Sequence, residues 1–154
     1  KRMLSRIQHA TVPRSYFQVL HRALQNAMEA GTGIVTGVGE VNNPDMVGEV
    51  ADLLLRSEDS AWAFAYGIYE NQFLLSLRTS ESGANAGEVM RRIVGDAGTG
   101  GGHSMLAGGQ IPLGEGSQAE RRRMESMVLR RFKRLIGQEG KTFTRLISEE
   151  AAKA

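Results

Sequence analysis

Residues 61–79, AWAFAYGIYENQFLLSLRT, decide the fold. Ala61–Tyr69 and Phe73–Thr79 are aromatic and β-prone runs separated by Glu70-Asn71-Gln72. Asparagine tolerates the positive φ of a tight turn, so the two runs are predicted to pair as an antiparallel hairpin. Upstream, Asn43-Pro44-Asp45 offers an N-cap, a proline suited to the first helical position and an early acid, ahead of Met46, Val47, Val50, Leu53 and Leu54. That pattern predicts a helix to about Arg56. Gly33–Gly39, with Ile34, Val35, Thr36 and Val38, predicts a short buried strand. Residues 16–30 place Phe17, Leu20, Leu24 and Ala27/Met28 on one helical face, with Ser15 and Gln18 in capping-box spacing and Gly31 as a stop.

Downstream, Asn85 and Glu88 repeat the cap spacing, and Ala86, Val89, Met90, Ile93 and Val94 keep one helical stripe. Residues 98–109 hold six of the 19 glycines and read as a side-chain-poor loop, closed by Ile111-Pro112. A helix from about Ser117 to Ile136 puts Met124, Val128, Phe132 and Leu135 inward and Arg123, Arg130, Lys133 and Arg134 outward. A short last helix is expected over about 142–152. Strands interleaved with helices predict an α/β fold, a mixed β-sheet with a central antiparallel hairpin flanked by helices.

Composition narrows the class. At 154 residues, 41% hydrophobic and 23% charged, the chain has the size and balance of one folded domain. Ala61–Tyr69 is far short of the ~20 apolar residues that cross a bilayer, so no membrane partner is expected. The absence of cysteine removes disulfides, thiolate nucleophiles and cysteine-bound zinc, and with a start that lacks a signal-like apolar run it predicts a cytoplasmic location. Net charge is +4 over residues 1–30, −7 over 31–118 and +5 over 119–154.

The chemistry concentrates in two places. Gly98-Thr99-Gly100-Gly101-Gly102-His103 puts bare backbone ahead of a residue that could open a short helix, where converging N–H groups suit a phosphate. A P-loop is excluded because His103 and Ser104 replace its lysine and hydroxyl, and the dinucleotide pattern lacks its third glycine. His103 can donate to a phosphoryl oxygen. Arg78, at the exit of the second hairpin strand and followed by Thr79 and Ser80, offers a guanidinium for bidentate binding of phosphate or of a base edge. A flexible turn and a surface arginine are the plain alternatives, and Arg91 and Arg92 read as solvated ions. His9, His21 and His103 show no metal-ligand spacing, and no Gly-x-Ser-x-Gly elbow occurs.

Ser76-Leu77-Arg78-Thr79-Ser80, a capped helix, then Gly100-Gly101-Gly102-His103-Ser104-Met105-Leu106-Ala107-Gly108 resembles the C-terminal, DHH-associated substrate-binding domain of DHH-family phosphoesterases. That group includes RecJ-like exonucleases, oligoribonucleases acting also on phosphoadenosine phosphate, cyclic dinucleotide phosphodiesterases and, more distantly, exopolyphosphatases. The resemblance implies residues 1–58 as a connector with helices and a first strand, and 59–154 as the domain itself, together one compact part of a larger enzyme. It implies that Arg78, Thr79, Ser80, Gly100, Gly101, Gly102, His103 and Ser104 bind a phosphate-bearing nucleotide or short oligonucleotide. Manganese is expected in a separate N-terminal domain, none in this chain, with hydrolysis between the domains and no catalytic residue here. Where the family often has Arg-Ser and Ala-Ala-Gly, this chain has Arg78-Thr79 and Leu106-Ala107-Gly108, which narrows the space beside the glycines. Two other expectations stand beside this one: a non-catalytic RNA-binding module using the arginine-rich helix at 121–134, and a domain that forms a homodimer.

Overall fold

The computed structural model describes residues 11–148. In chain order the elements are α1 (Arg14–Asn26), β1 (Met28–Ala30), β2 (Gly33–Glu40), α2 (Asp45–Leu54), β3 (Trp62–Tyr69), β4 (Gln72–Thr79) and α3 (Ala86–Val94). A 3-10 turn at Gly95–Ala97 leads to β5 (Thr99–Gly102), β6 (Leu106–Pro112), α4 (Gln118–Leu135) and β7 (Thr144–Arg145). The strands form one seven-stranded sheet in the order β5-β6-β4-β3-β2-β1-β7, with β2 and β3 parallel and the other neighbours antiparallel. This is the mixed α/β sheet the sequence predicts.

The hairpin is its centre. Glu70 and Asn71 adopt φ of 49° and 59°, the two consecutive positive values that suit a two-residue turn to the strand twist. Asn71 also ties the turn to the end of β6 through Nδ2 to the Leu113 carbonyl (2.9 Å). Alternation along β3 sends Trp62, Phe64 and Tyr66 to one face and Ala63 and Ala65 to the other. The aromatic face packs under α3 and α4, where Phe64 stacks on Phe132 at 5.0 Å. The alanine face lies under α1 and α2 with Val19, Ala23, Val47, Val50 and Leu54. Small side chains there let two helices lie close to the strands.

Local signals set the helix starts. Asn43 Oδ1 accepts the Asp45 amide at 3.0 Å, Asn85 accepts Glu88 N–H at 3.1 Å, and Ser117 accepts Glu120 N–H at 3.2 Å. Glu120 in turn accepts the amides of Gly114 and Gly116, both at 2.8 Å, which hold its carboxyl below the usual carboxylate range. By contrast α1 begins after Pro13 with no side-chain cap, so the Ser15–Gln18 box does not form.

Three sequence expectations are corrected. The predicted helix at 16–30 ends at Asn26, and Met28–Ala30 is a strand on β2. The predicted last helix is absent where it is described: within 142–148 only Thr144 and Arg145 take regular structure, as a strand paired to Glu29 and Met28, and residues 149–152 lie outside the described residues. The glycine segment is not a loop opening a helix but the hairpin β5–β6. Two of its glycines answer to α3, which lies on it: a Cβ at Gly100 or Gly109 would sit 3.0 or 2.9 Å from Met90, and within α3 one at Gly87 would meet the Gly102 carbonyl at 2.7 Å.

Two stability outcomes follow from this packing. Gly109→Ala drives a methyl to 2.9 Å from both Met90 Sδ and Val94 Cγ2, and should destabilise by about 1–3 kcal/mol, the scale of overpacking. Gly108→Ala meets nothing nearer than the Leu75 carbonyl oxygen at 3.7 Å and should fall within about 1 kcal/mol of the parent, on either side. Equal denaturation midpoints for the two variants would refute this account. For Glu120, a folded-state pKa below the unfolded value means stability present at neutral pH and lost as pH falls through the lowered value. Melting wild type and Glu120→Gln between pH 7 and 3 should therefore show a gap that closes on the acid side.

Candidate functional site

Strand alternation aims Arg78. Phe73, Leu75, Leu77 and Thr79 are buried, so Leu74, Ser76 and Arg78 project to the α2 face. There Arg78 Nε donates to Asp52 Oδ1 at 2.6 Å, and Nη1 donates to the carbonyls of Leu77 (3.0 Å) and Ala107 (3.4 Å). Gly48, one helical turn before Asp52, makes the room, since a Cβ there would lie 2.9 Å from Arg78 Nη2. Arg78 is only 17% exposed while Asp52 is 64% exposed. With one partner in water such a pair contributes about 0.2–1 kcal/mol, so its effect is to orient the guanidinium. Asp52 and Gly48 escaped the sequence reading; their i, i+4 spacing along α2, glycine and acid on one stripe of an apolar helix, was the signal available.

The two residues after Arg78 diverge. Thr79 is fully buried, its hydroxyl donating to the Ala61 carbonyl (2.8 Å) and accepting Glu81 N–H (3.0 Å). That hydroxyl fixes the strand exit and faces no open surface. Ser80 is exposed, anchored by its amide to the Ala61 carbonyl at 3.1 Å.

The β5–β6 turn, His103-Ser104-Met105, sits against that exit. Thr79 N–H donates to the Met105 carbonyl (3.0 Å) and His103 N–H to the Leu106 carbonyl (2.8 Å). The carbonyls of Ser104 and His103 accept the first amides of α3, Ala86 at 3.0 Å and Gly87 at 2.9 Å. With Asn85 taking Glu88 N–H, the start of α3 is capped by protein, and the short helix expected to open at His103 is replaced by the turn into strand β6. The bonds that His103 and Ser104 make here use their main chain, and both residues are exposed. The structure thus brings Arg78, Thr79 and Ser80 to the same end of the sheet as His103 and Ser104.

Gly100, Gly101 and Gly102 line the sheet edge. Antiparallel alternation from the His103–Leu106 bond turns the amides of Gly100 and Gly102 outward, off that edge. Leu106, cross-strand partner of Arg78, shares its face and is 48% exposed, next to Met105 at 57%. A shallow trough of about 360 Å³ continues from there, lined by Thr99, Gly100, Gly101, Gly108, Gly109 and Gln110. No group of three or more His, Cys, Asp or Glu among the described residues could hold a metal ion. No helix among them is long and apolar enough to cross a membrane.

Three relatives frame this geometry. An uncharacterised protein of Methanocaldococcus jannaschii is 29% identical over 141 residues, 88% of this chain and 29% of that protein. An exopolyphosphatase-related protein from Bacteroides fragilis superposes at a TM-score of 0.58 and 14% identity, covering 88% of this chain and 40% of that one. RecJ from Thermus thermophilus, in complex with Mg2+, gives 0.51 and 20% identity over 77% of this chain and 17% of that one. The chain therefore spans less than half the length of each, and the two structures share its fold. The family model of the DHHA1 domain matches residues 30–132, from the last residue of β1 to Phe132 in α4. That match takes in the Arg78 strand, α3 and the whole glycine hairpin, and by it the chain belongs to the DHHA1 domain family.

Proposed function

We propose that this chain is the substrate-binding half of a metal-dependent phosphoesterase that hydrolyses phosphodiester or phosphomonoester bonds in nucleotides or short oligonucleotides. One observation carries the reading: Asp52 holds the Arg78 guanidinium in place on the sheet beside the turn that presents His103. The Bacteroides protein is exopolyphosphatase-related, which agrees with anion chemistry on this fold.

In this reading Arg78 binds a phosphoryl group, His103 donates to another of its oxygens, and the outward amides of Gly100 and Gly102 add two uncharged donors. Gly101 keeps that edge bare. Ser80 and Ser104 flank the group with hydroxyls, and Thr79 acts as a positioning residue. These groups neutralise charge as it builds on the phosphoryl oxygens during attack by water. The metal that activates that water, manganese by the family resemblance, belongs to a DHH catalytic domain that partners this one. Arginines on α4 serve packing as well as charge, since Arg121 pairs with Glu40 at 2.9 Å and Arg131 donates to the Ile93 carbonyl at 2.8 Å. This weakens the alternative in which α4 as a whole tracks an RNA backbone.

Arg78→Gln and His103→Ala should each weaken a nucleoside monophosphate by about 1–3 kcal/mol, the scale of a charge-assisted hydrogen bond. Because His103 is held through its main chain, His103→Ala should keep the parental melting temperature. Calorimetric titration paired with thermal melts tests both, and a variant that melts early with unchanged affinity would make the histidine structural. The chain by itself, supplied with manganese and phosphoadenosine phosphate or a dinucleotide, should show no turnover. Sustained cleavage would overturn the division of labour.

A further inference from the structure

The pairing of β2 with β3 slips near its end. Gly37 pairs with Tyr66 and Glu40 with Ile68, so β2 carries one residue more than β3 across that interval, and Gly39 takes a φ of 73° within it. A bulge of this kind bends its strand and re-aims the groups beside it. Next to the bulge, on the aromatic face of the sheet, a cavity of about 180 Å³ lies between the strand ends and the first two turns of α4. Its floor is apolar, made by Ile68 with Tyr66 and Phe73, whose rings stack at 5.4 Å. Arg78 is elsewhere: Leu75, the cross-strand partner of Tyr66, stands three residues before it on β4, roughly 10 Å along the strand, and the odd spacing puts the two sites on opposite faces.

The rim of the cavity is charged, and its acids are already engaged. Arg121 Nη2 donates to Glu40 Oε1 at 2.9 Å. The Tyr66 hydroxyl donates to the Glu125 carboxylate; burial, and then the negative charge of Glu125, raise the tyrosine pKa and keep that proton in place. The donors are not all matched. Arg121 Nε is buried with no hydrogen-bond partner among the described residues, and the exposed Arg122 guanidinium beside it makes no hydrogen bond or ion pair there. Buried donors in folded proteins nearly always find an acceptor. Here the space next to one is apolar below and basic above.

We propose that this cavity binds an apolar monocarboxylate the size of a single ring, its body on the Tyr66, Phe73 and Ile68 floor and its carboxylate held by Arg121 and Arg122. The size follows from the volume, since an apolar cavity of about 150 Å³ admits a benzene-sized guest. The charge follows from the rim: a carboxylate supplies the acceptors that two guanidinium groups lack, and arginine suits it geometrically. An amine would meet two arginines, with both nearby acids occupied. Inorganic phosphate would leave the apolar floor unused. The site is independent of the phosphate-binding reading of Arg78 and His103.

The test titrates the full chain with benzoate, benzyl alcohol and benzylamine, by calorimetry and by amide NMR spectra. Benzoate should bind at least ~10-fold more tightly than either of the others. It should shift the amides of Gly39, Gly67 and Ile68 and leave those of Gly101 and His103 unmoved. Arg122→Gln should cut the preference for benzoate severalfold without changing benzyl alcohol, and Ile68→Phe, which fills the floor, should weaken both ligands. Neither Arg78→Gln nor saturating inorganic phosphate should affect benzoate. Equal affinity for the three ligands would reveal an unselective hollow and overturn the carboxylate site. Silence toward benzoate at millimolar concentration, shifts confined to the His103 turn, or displacement by phosphate would overturn it as well. Because the amide map is read on the parent chain, it decides the matter even if Ile68→Phe unfolds.

Discussion

Two backbone hydrogen bonds organise the region on which function depends. Ala86 and Gly87 open α3, and their amides find the carbonyls of Ser104 and His103. A helix start has unpaired donors that must be satisfied when the chain packs around them. Meeting that demand with the β5–β6 turn pins the hairpin under the helix. It also obliges the hairpin to lie close, which is why Met90 and Val94 rest on glycines. The same bonds occupy the helix terminus, so any anion bound at this end relies on Arg78, on His103 and on the outward amides of the edge strand.

Arg78 shows how a charged group is prepared while keeping one edge open to solvent. Its strand neighbours, Leu77 and Thr79, point into the core, and the alternation leaves the guanidinium on the opposite face. Asp52 holds one arm, the Leu77 and Ala107 carbonyls another, and Gly48 on α2 removes the side chain that would block the third. A long flexible side chain loses rotamer freedom on binding. Here folding has already imposed that loss, so a ligand meets an arginine in place.

What could be read from the sequence followed how local each determinant was. The hairpin turn at Glu70-Asn71, the Asn85 cap, the helix start near Ser117 and the apolar stripes of α3 and α4 are written within a few residues, and each forms where expected. Thr144–Arg145 is a strand because it pairs with Met28 and Glu29 across more than a hundred residues, a partnership no window contains, while Met28–Ala30 is set by its pairing with β2, which the helical spacing of residues 16–30 masks. Residues 98–109 misled for a different reason. Six glycines look like flexibility in a one-dimensional reading, whereas Gly100 and Gly109 answer to a helix lying on the sheet and Gly98 and Gly102 to the facing strand of their own hairpin. Arg78 and His103 were visible as residue types, but the partner that orients Arg78 was not, since Asp52 meets it only through the β2-α2-β3 crossover.

His103 and Ser104 contribute main-chain atoms to the fold and expose their side chains to water. Nearly any residue able to turn the chain could fill these two positions without a folding penalty. Selection at this corner therefore acts on what the imidazole and hydroxyl touch, not on whether the domain survives. Ligand preference in such a domain can drift by single replacements at the turn while the architecture stays intact.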